Sequence, residues 1–393
     1  MAKVDQITVR NSPKLREKMN QEGEILKSQE DEKSNSEKID VSVVIPVHNA
    51  NLWLDDCLAS ISRQQHTLNV EVSLFLDSCT DDSERIVQGW STKLKEQGYA
   101  VITAVENNEN PKGVGYAKNR AVEQSHGEFL CFLDSDDIMK PTRIQKQYEM
   151  AFHNHEAIIG SRFTRDPPDS TLRFTKWANE LDESKLTIQV YTSHGPTVIM
   201  PTWFCHRNVF NRVGGFSEAG KGTPEDLIFF FRHLQLGGKV FRHPDDLLVY
   251  RYHQTATTFS IDEQTIWNLR IQEIQECILC HWESFTIWNA GKQGRKFYRS
   301  LTTENQRKVV AFCDVDVKKI GTSYTYEESK ERPKPKVPIV HFSQVKPPLI
   351  ICMKMVRQIS IHYIYIMGNS ENIRYLKNKI FTHAHAHEYT ILC

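Results

Sequence analysis

The chain lacks an excess of charge of either sign: its 393 residues carry 49 Lys and Arg against 49 Asp and Glu, for a formal net charge of zero. That balance excludes the whole-molecule basic field that draws proteins to nucleic acid or to anionic membrane. A long hydrophobic run is also missing. The nearest candidate, Ile359 to Met367, is interrupted by His362 and falls well short of the roughly 18 residues of a membrane helix. The opening residues, MAKVDQITVRNSPKLREK, are too polar for the apolar core of a signal peptide. No Asn-x-Ser/Thr acceptor occurs, and the nine cysteines are scattered. These absences lead to the expectation of a soluble, cytoplasmic protein with no nucleic-acid partner and no membrane-spanning segment.

What is present divides the chain. Residues 1–38 are rich in Lys, Glu, Asn, Gln and Ser and show no apolar periodicity, which predicts a disordered charged leader. From Val41 the pattern changes. VSVVIPV has the length of a strand, and Leu54, Leu58 and Ile61 stripe a helix with Asn49 or Asn51 as its cap. Val70–Leu76 is a second strand, Ile86, Trp90 and Leu94 mark a second helix, and Val101–Val105 is a third strand. A helix around Gly115–Ser125 and a fourth strand, Phe129–Leu133, complete an alternation that predicts a mainly parallel sheet flanked by helices. Ligands of such sheets bind beyond the carboxyl ends of the strands. His48 and Asn49, Asp77, and Asp134 and Asp136 all follow strands at that edge.

The stretch FLCFLDSDDIM runs an apolar strand into Asp134, Asp136 and Asp137. Two readings fit these residue types. One is a solvated acidic turn opening a helix at Pro141; the other is an oxygen-rich site for a hard divalent cation. Further on, residues 160–260 are less regular. Glu225-Asp226 open a helix striped by Leu227, Phe230 or Phe231, and Leu234, and VYRYH closes the segment as a strand carrying Arg251 and His253. A pair of acids there is either a first turn complementing the helix dipole or a functional pair.

Taken in order, VSVVIPVHNA, LFLDSCTDDS, GVGYAKNRAV, FLCFLDSDD, GGFSE, TPEDL and VYRYH resemble the inverting nucleotide-sugar glycosyltransferases of family 2, from Val41 to His253. The resemblance implies a GT-A nucleotide-diphospho-sugar transferase fold and a UDP-sugar donor, with N-acetylglucosamine as the sugar and a carbohydrate as the acceptor. It implies Mn²⁺ or Mg²⁺ on Asp136 and Asp134, with His253 as a third ligand or phosphate contact. Donor contacts fall to Pro46, His48, Asp77, Asp134 and Lys118, the last offering charge to a phosphate in place of the usual arginine. Asp226 takes the position of the base, Glu225 of an acceptor-orienting residue, and Trp203 of an acceptor-stacking ring whose alternative is a core position. The family's usual Asp-Asp-Gly-Ser is here Leu76-Asp77-Ser78-Cys79, which keeps one acid and loses the glycine.

The boundaries read as a GT-A domain over 39–260, a helical connector over 261–284, a small Rossmann-like α/β domain over 285–354 and a divergent tail over 355–393 that fails to complete the second sheet. In the second domain FTIWNAGKQG gives a strand and a glycine turn, and Asp314 ends the next strand about 20 residues on, where a dinucleotide fold places its ribose-binding acid. Asn289 replaces the first glycine of that fingerprint. Two further functions stay open on these residues: a non-catalytic nucleotide-sugar scaffold or sensor, and an NAD(P)-binding oxidoreductase working through residues 285–354. The alternating His383, His385 and His387 are read as an accident of a polar tail.

Overall fold

A computed structural model describes residues 38–193, 195–354 and the strand 362–367. The expected leader, apart from Lys38, and the His383–His387 run lie outside the described residues. Four strands, β1 (Val41–Val47), β2 (Val70–Asp77), β3 (Ala100–Glu106) and β4 (Phe129–Phe132), pair in parallel in the order β3-β2-β1-β4. Helices α1 (Leu54–Ser62), α2 (Ser83–Glu96) and α3 (Val114–Glu123) make the crossovers. Every residue of β1 and β2 is buried, because helices cover both faces of the sheet, and this is why these strands read as unbroken apolar runs. Val41, Val43 and Ile45 share one core with Leu54, Leu58 and Ile61 of α1. Val44 belongs to the opposite core, with Ala117 and Ala121 of α3.

Past β4 the sheet changes direction. Strands β5 (Ile138–Met139), β6 (Ala157–Asp166), β7 (Phe204–His206) and β8 (Lys239–Arg251) extend it to eight, in the order β3-β2-β1-β4-β7-β6-β8-β5. β7 is antiparallel to β4, and β6 and β8 run parallel to each other. Around them lie α4 (Arg143–Phe152), α5 (Leu172–Glu180), α6 (Arg207–Val213) and α7 (Glu225–Gln235). The sequence pattern predicts only the last residues of β8. Proline ordinarily ends a strand, yet Pro244 sits in a bulge where His243 faces Ser161 and Asp246 faces Arg162, a place where a strand tolerates proline.

The second sheet follows the connector. β9 (Phe285–Trp288), β10 (Val309–Asp314), β11 (Ser323–Thr325), β12 (Lys336–His341), β13 (Leu349–Lys354) and β14 (His362–Met367) are arranged β11-β12-β10-β9-β13-β14. The inner four strands are parallel and both edges antiparallel. The expectation for the tail is corrected here: β14 pairs with β13 from Leu349↔Met367 to Lys354↔His362, so the tail adds an edge strand. Helix α8 (Glu263–Cys277) fills the connector and serves two cores, with Ile266 in that of the first sheet and Trp267, Ile271 and Ile274 in that of the second. Cys277 and Cys280, the one Cys-x-x-Cys spacing in the chain, are both free. Burial pushes the Cys277 thiol up to about 11, which leaves it unreactive. Among the described residues no helix is long and apolar enough to cross a membrane.

Candidate active site

The carboxyl edge of the first sheet collects the acids. Asp134, Asp136 and Asp137 leave β4 in a tight turn closed by Asp137 N–H donating to Asp134 O at 3.1 Å. One carboxylate oxygen of each lies within 4.8 Å of the others. Basic side chains from two distant segments gather around them. Lys118 on α3 is 2 % exposed, and its Nζ stands 2.9 Å from Glu225 Oε1 and 3.6 Å from Asp134 Oδ1. Arg251 at the end of β8 holds Asp56 Oδ2 at 2.5 Å and Asp166 Oδ2 at 3.4 Å, and its main-chain N–H donates to Asp137 Oδ1 at 2.9 Å. His253 Nε2 lies 2.8 Å from Asp136 Oδ2, its ring stacked on Trp53 with centroids 5.0 Å apart.

The electrostatics follow from this packing. Burial raises the Asp134 carboxyl to about 6, with Lys118 opposing the shift and Asp136 adding to it. Asp137 is wholly buried; burial and then its neighbours Asp136 and Asp134 push it well above the usual carboxylate range. Burial by itself would lower the Lys118 ammonium, but Asp134 and Glu225 hold it well above an ordinary lysine. Asp226 is raised to about 7, by burial first and then by Glu225, against the pull of Lys118. Its Oδ1 accepts the Leu227 N–H at 2.6 Å at the first turn of α7. Asp134 Oδ1 and Asp137 Oδ2 are buried without a hydrogen-bond partner. Such oxygens are costly unless a cation or donor reaches them, and an all-oxygen set of this kind suits Mg²⁺ or Mn²⁺.

At the neighbouring strand ends, Asp77 is 1 % exposed. Its Oδ2 accepts the Gly113 N–H at 2.9 Å and its Oδ1 accepts the Ser78 hydroxyl at 3.2 Å. Gly113 has φ +101°, and a Cβ there would lie 3.2 Å from Gly220 Cα, so glycine is required where two loops cross. His48 Nδ1 is 2.6 Å from Asp77 O. A carbonyl only accepts, so Nδ1 carries the proton and Nε2 is left as the acceptor. Pro46 is buried within β1, opposite Phe75.

One expectation is corrected. Trp203 is 1 % exposed and its indole N–H donates to Val198 O at 2.8 Å; it packs beside Phe216, Phe229 and Phe230 and has no face for a sugar. Lys118, expected at a donor phosphate, is buried and pairs with Asp134 and Glu225. Glu225, expected to orient an acceptor, is buried as the counter-ion of that lysine. His253 hydrogen-bonds an acid and stands outside the three-carboxylate cluster. Trp53 was missed from the sequence, and Arg251 was named there without a role. The Arg-x-His spacing in VYRYH was the available signal, since residues two apart on a strand point the same way.

Residues 42–214 match the family model "Glycosyl transferase family 2". Over those residues the chain is similar to that family. Glycosyltransferase GlyG of Streptococcus pneumoniae serotype 4 is 25% identical over 253 residues, 61% of this chain and 81% of that protein. An uncharacterized glycosyltransferase of Rickettsia typhi is 26% identical over 230 residues, 56% of this chain and 65% of that protein. Among solved structures, S. aureus TarS 1–349 in complex with UDP-GlcNAc is 17% identical with a TM-score of 0.48, covering 68% of this chain and 72% of that one. The mannosyltransferase PcManGT from Pyrobaculum calidifontis, in complex with GDP-Man and Mn²⁺, is 17% identical with a TM-score of 0.41, over 62% and 65%. The eight-stranded mixed sheet has the GT-A fold, and the matched residues 42–214 lie within it.

The second sheet offers a contrast at its own carboxyl edge. Asp314 Oδ2 accepts Ala290 N–H at 3.0 Å and Lys319 Nζ at 2.9 Å, while Oδ1 accepts the N–H groups of Val315 and Asp316 at 2.9 and 3.0 Å. Asn289, at φ +97°, turns its own Oδ1 onto Gly291 N–H at 2.8 Å. The acid and the turn that a dinucleotide would need are occupied by the protein itself, which tells against the oxidoreductase reading.

Proposed function

We propose that the chain is an inverting glycosyltransferase that moves a sugar from a nucleotide-sugar donor to a carbohydrate acceptor. UDP-N-acetylglucosamine is the first candidate donor, on the similarity of the ordered motifs to the UDP-GlcNAc:β-galactose β-1,3-N-acetylglucosaminyltransferase-like protein. One observation carries the reading: buried Lys118 ties Asp134, after β4, to Glu225, beside Asp226 at the start of α7. That link joins a cation-type acid cluster to an acid suited to proton transfer.

The parts divide the reaction between them. Asp136 and Asp134 would hold Mg²⁺ or Mn²⁺, which when bound neutralises charge on a departing diphosphate. Asp77, with His48 and Pro46 beside it, would take the nucleoside. Asp226, raised to about 7, is poised to accept the acceptor hydroxyl's proton near neutral pH. Attack from the side opposite the leaving group inverts the anomeric centre. His253 orients Asp136, and Arg251 anchors the turn that carries it. The residues proposed for catalysis are absent from the second sheet, whose role here is to pack against α8.

Isothermal titration with UDP, UDP-N-acetylglucosamine and GDP-mannose, each with Mn²⁺ and with EDTA, tests the proposal. Cation-dependent binding of a nucleotide sugar that Asp136→Asn removes is the expected result. Binding unaffected by EDTA and by that substitution would refute the assignment of Asp136. No binding of any nucleotide sugar would refute the function itself.

A further inference from the structure

One edge of the first sheet is left open. β3 is its outermost strand, joined to β2 on one side in an unbroken register from Glu71↔Ala100 to Asp77↔Glu106. Among the described residues nothing hydrogen-bonds its other side, and Thr103 and Val105 are exposed. Edge strands are ordinarily blunted by proline, lysine, a bulge or an inward charge. Ala100–Val105 has none of these, and the acid that ends the strand, Glu106, is tied to Lys112 Nζ and to the Tyr116 hydroxyl, each at 2.5 Å.

The direction of the free groups follows from the ladder. Glu106 O accepts the Ser78 N–H at 2.7 Å, so the main chain of Glu106 turns toward β2. Main-chain groups of successive strand residues point to opposite sides, and Val101, Thr103 and Val105 therefore turn theirs outward. The side chains of Val101 and Thr103 lie toward α2, where with Val87, Gln88, Ser91 and Lys95 they line a cleft of about 510 Å³. The helix carries charge along this border. Glu84, Gln88, Ser91 and Lys95 follow one stripe at helical spacing, and Gln88 Nε2 donates to Glu84 Oε1 at 3.2 Å. Glu84 and Lys95, at opposite ends of the stripe, have no ion-pair partner among the described residues. The neighbouring charges are engaged elsewhere: Arg85 pairs with Asp82 at 3.2 Å, and Lys93 Nζ lies 4.4 Å from the centre of the Trp90 ring. Glu96 falls one step further round the helix.

From this geometry we infer that β3 is a dimer interface and that its occupant is a second copy of this chain, added antiparallel across a two-fold axis at Thr103. The inference is independent of the glycosyltransferase reading. Thr103 then faces Thr103 of the second copy, and Val101 faces its Val105. Each facing pair exchanges both main-chain bonds, roughly six in all. The stretch VITAV sets a valine at equal distance on either side of Thr103, so the outward-facing residues match themselves under that rotation. The same axis reverses α2 and brings the Lys95 end of each helix to the Glu84 end of the other, which is the charge complementarity a self-matched interface needs. Parallel addition would instead set lysine beside lysine and acid beside acid.

The test is sedimentation velocity of the full chain between about 1 and 100 μM, the range in which a modest interface is populated. The unaltered chain should sediment as a dimer. Thr103→Pro removes the central outward N–H, a change that an edge strand tolerates, and should leave a monomer with the circular dichroism of the unaltered protein. Lys95→Glu and Glu84→Lys should each weaken dimerisation about tenfold, and the two combined should restore it. Thr103→Cys should form a covalent dimer on mild oxidation, because residues facing across a bonded pair stand about 5.5 Å apart, within disulfide reach. Val101→Cys, which faces residue 105 of the second copy and not its own counterpart, should form none beyond the background of the unaltered chain. A monomeric unaltered chain at about 100 μM would overturn the inference and leave the edge to a different protein's strand. A dimer indifferent to the charge exchange, and not cross-linked through Thr103→Cys, would overturn it in favour of another surface, whether or not Thr103→Pro folds.

Discussion

The chain builds two parallel-sheet layers and ends strands of both in aspartate, yet the two edges differ in what happens to the acid. In the second sheet all the capacity of Asp314 is used at home: three main-chain N–H groups and Lys319 surround it. In the first, Asp134 Oδ1 and Asp137 Oδ2 stay buried without a hydrogen-bond partner, and three carboxylates lie within reach of one ion. The same residue type at the same topological place closes a turn in one case and leaves an open site in the other. The lesson is that chemistry is to be sought where buried polar groups are left under-satisfied, because stability alone does not maintain them.

That contrast can be broken in several ways. The largest effect is expected for Asp226→Asn, which removes the proton acceptor and should lower transfer by roughly 10²–10⁴ while leaving donor binding intact. A wild-type profile gives the companion measurement. Asp226 is raised to about 7, so the working, ionised form is present above that value, and the rate should fall about tenfold per unit below it. A flat profile from pH 5 to 8 would remove Asp226 from the role.

Next in size is Lys118→Met. The substitution leaves Asp134 and Glu225 buried without their shared cation, and unfolding in urea should show a loss of about 3–5 kcal/mol. A near-neutral result would mean that the two acids are not held by this lysine. The smallest effect is expected on the other sheet. Asp314→Ala strips the partner from the buried N–H of Ala290 and should cost about 1–3 kcal/mol, with transfer kinetics unchanged. A loss of transfer in that variant, at preserved fold, would erase the distinction between the two edges.

Much of this was legible in the residues. The apolar runs of β1, β2 and β4, the helix stripes between them and the polar groups at the strand ends led directly to the parallel half of the sheet and to Asp77, Asp134 and Asp136, while Asp226 came from the resemblance to family 2. The antiparallel half was not legible. A bulge hides Pro244 inside β8, and β7 is only three residues long. Trp203 was ambiguous for a related reason: an aromatic residue between two prolines fits a core or a cleft equally until its neighbours are known.

By itself the sequence determined the order of elements through β4, the acids at the sheet edge and the lack of a long apolar run, since these depend on local periodicity and on residues close together in the chain. Only the tertiary structure decided which acid is paired, which is desolvated and which is open. Lys118 and Glu225 are 107 residues apart, and Arg251 and Asp56 are 195 apart. The charge state of a carboxylate is set by burial and by its neighbours in space, and those neighbours are assembled only when the sheet closes.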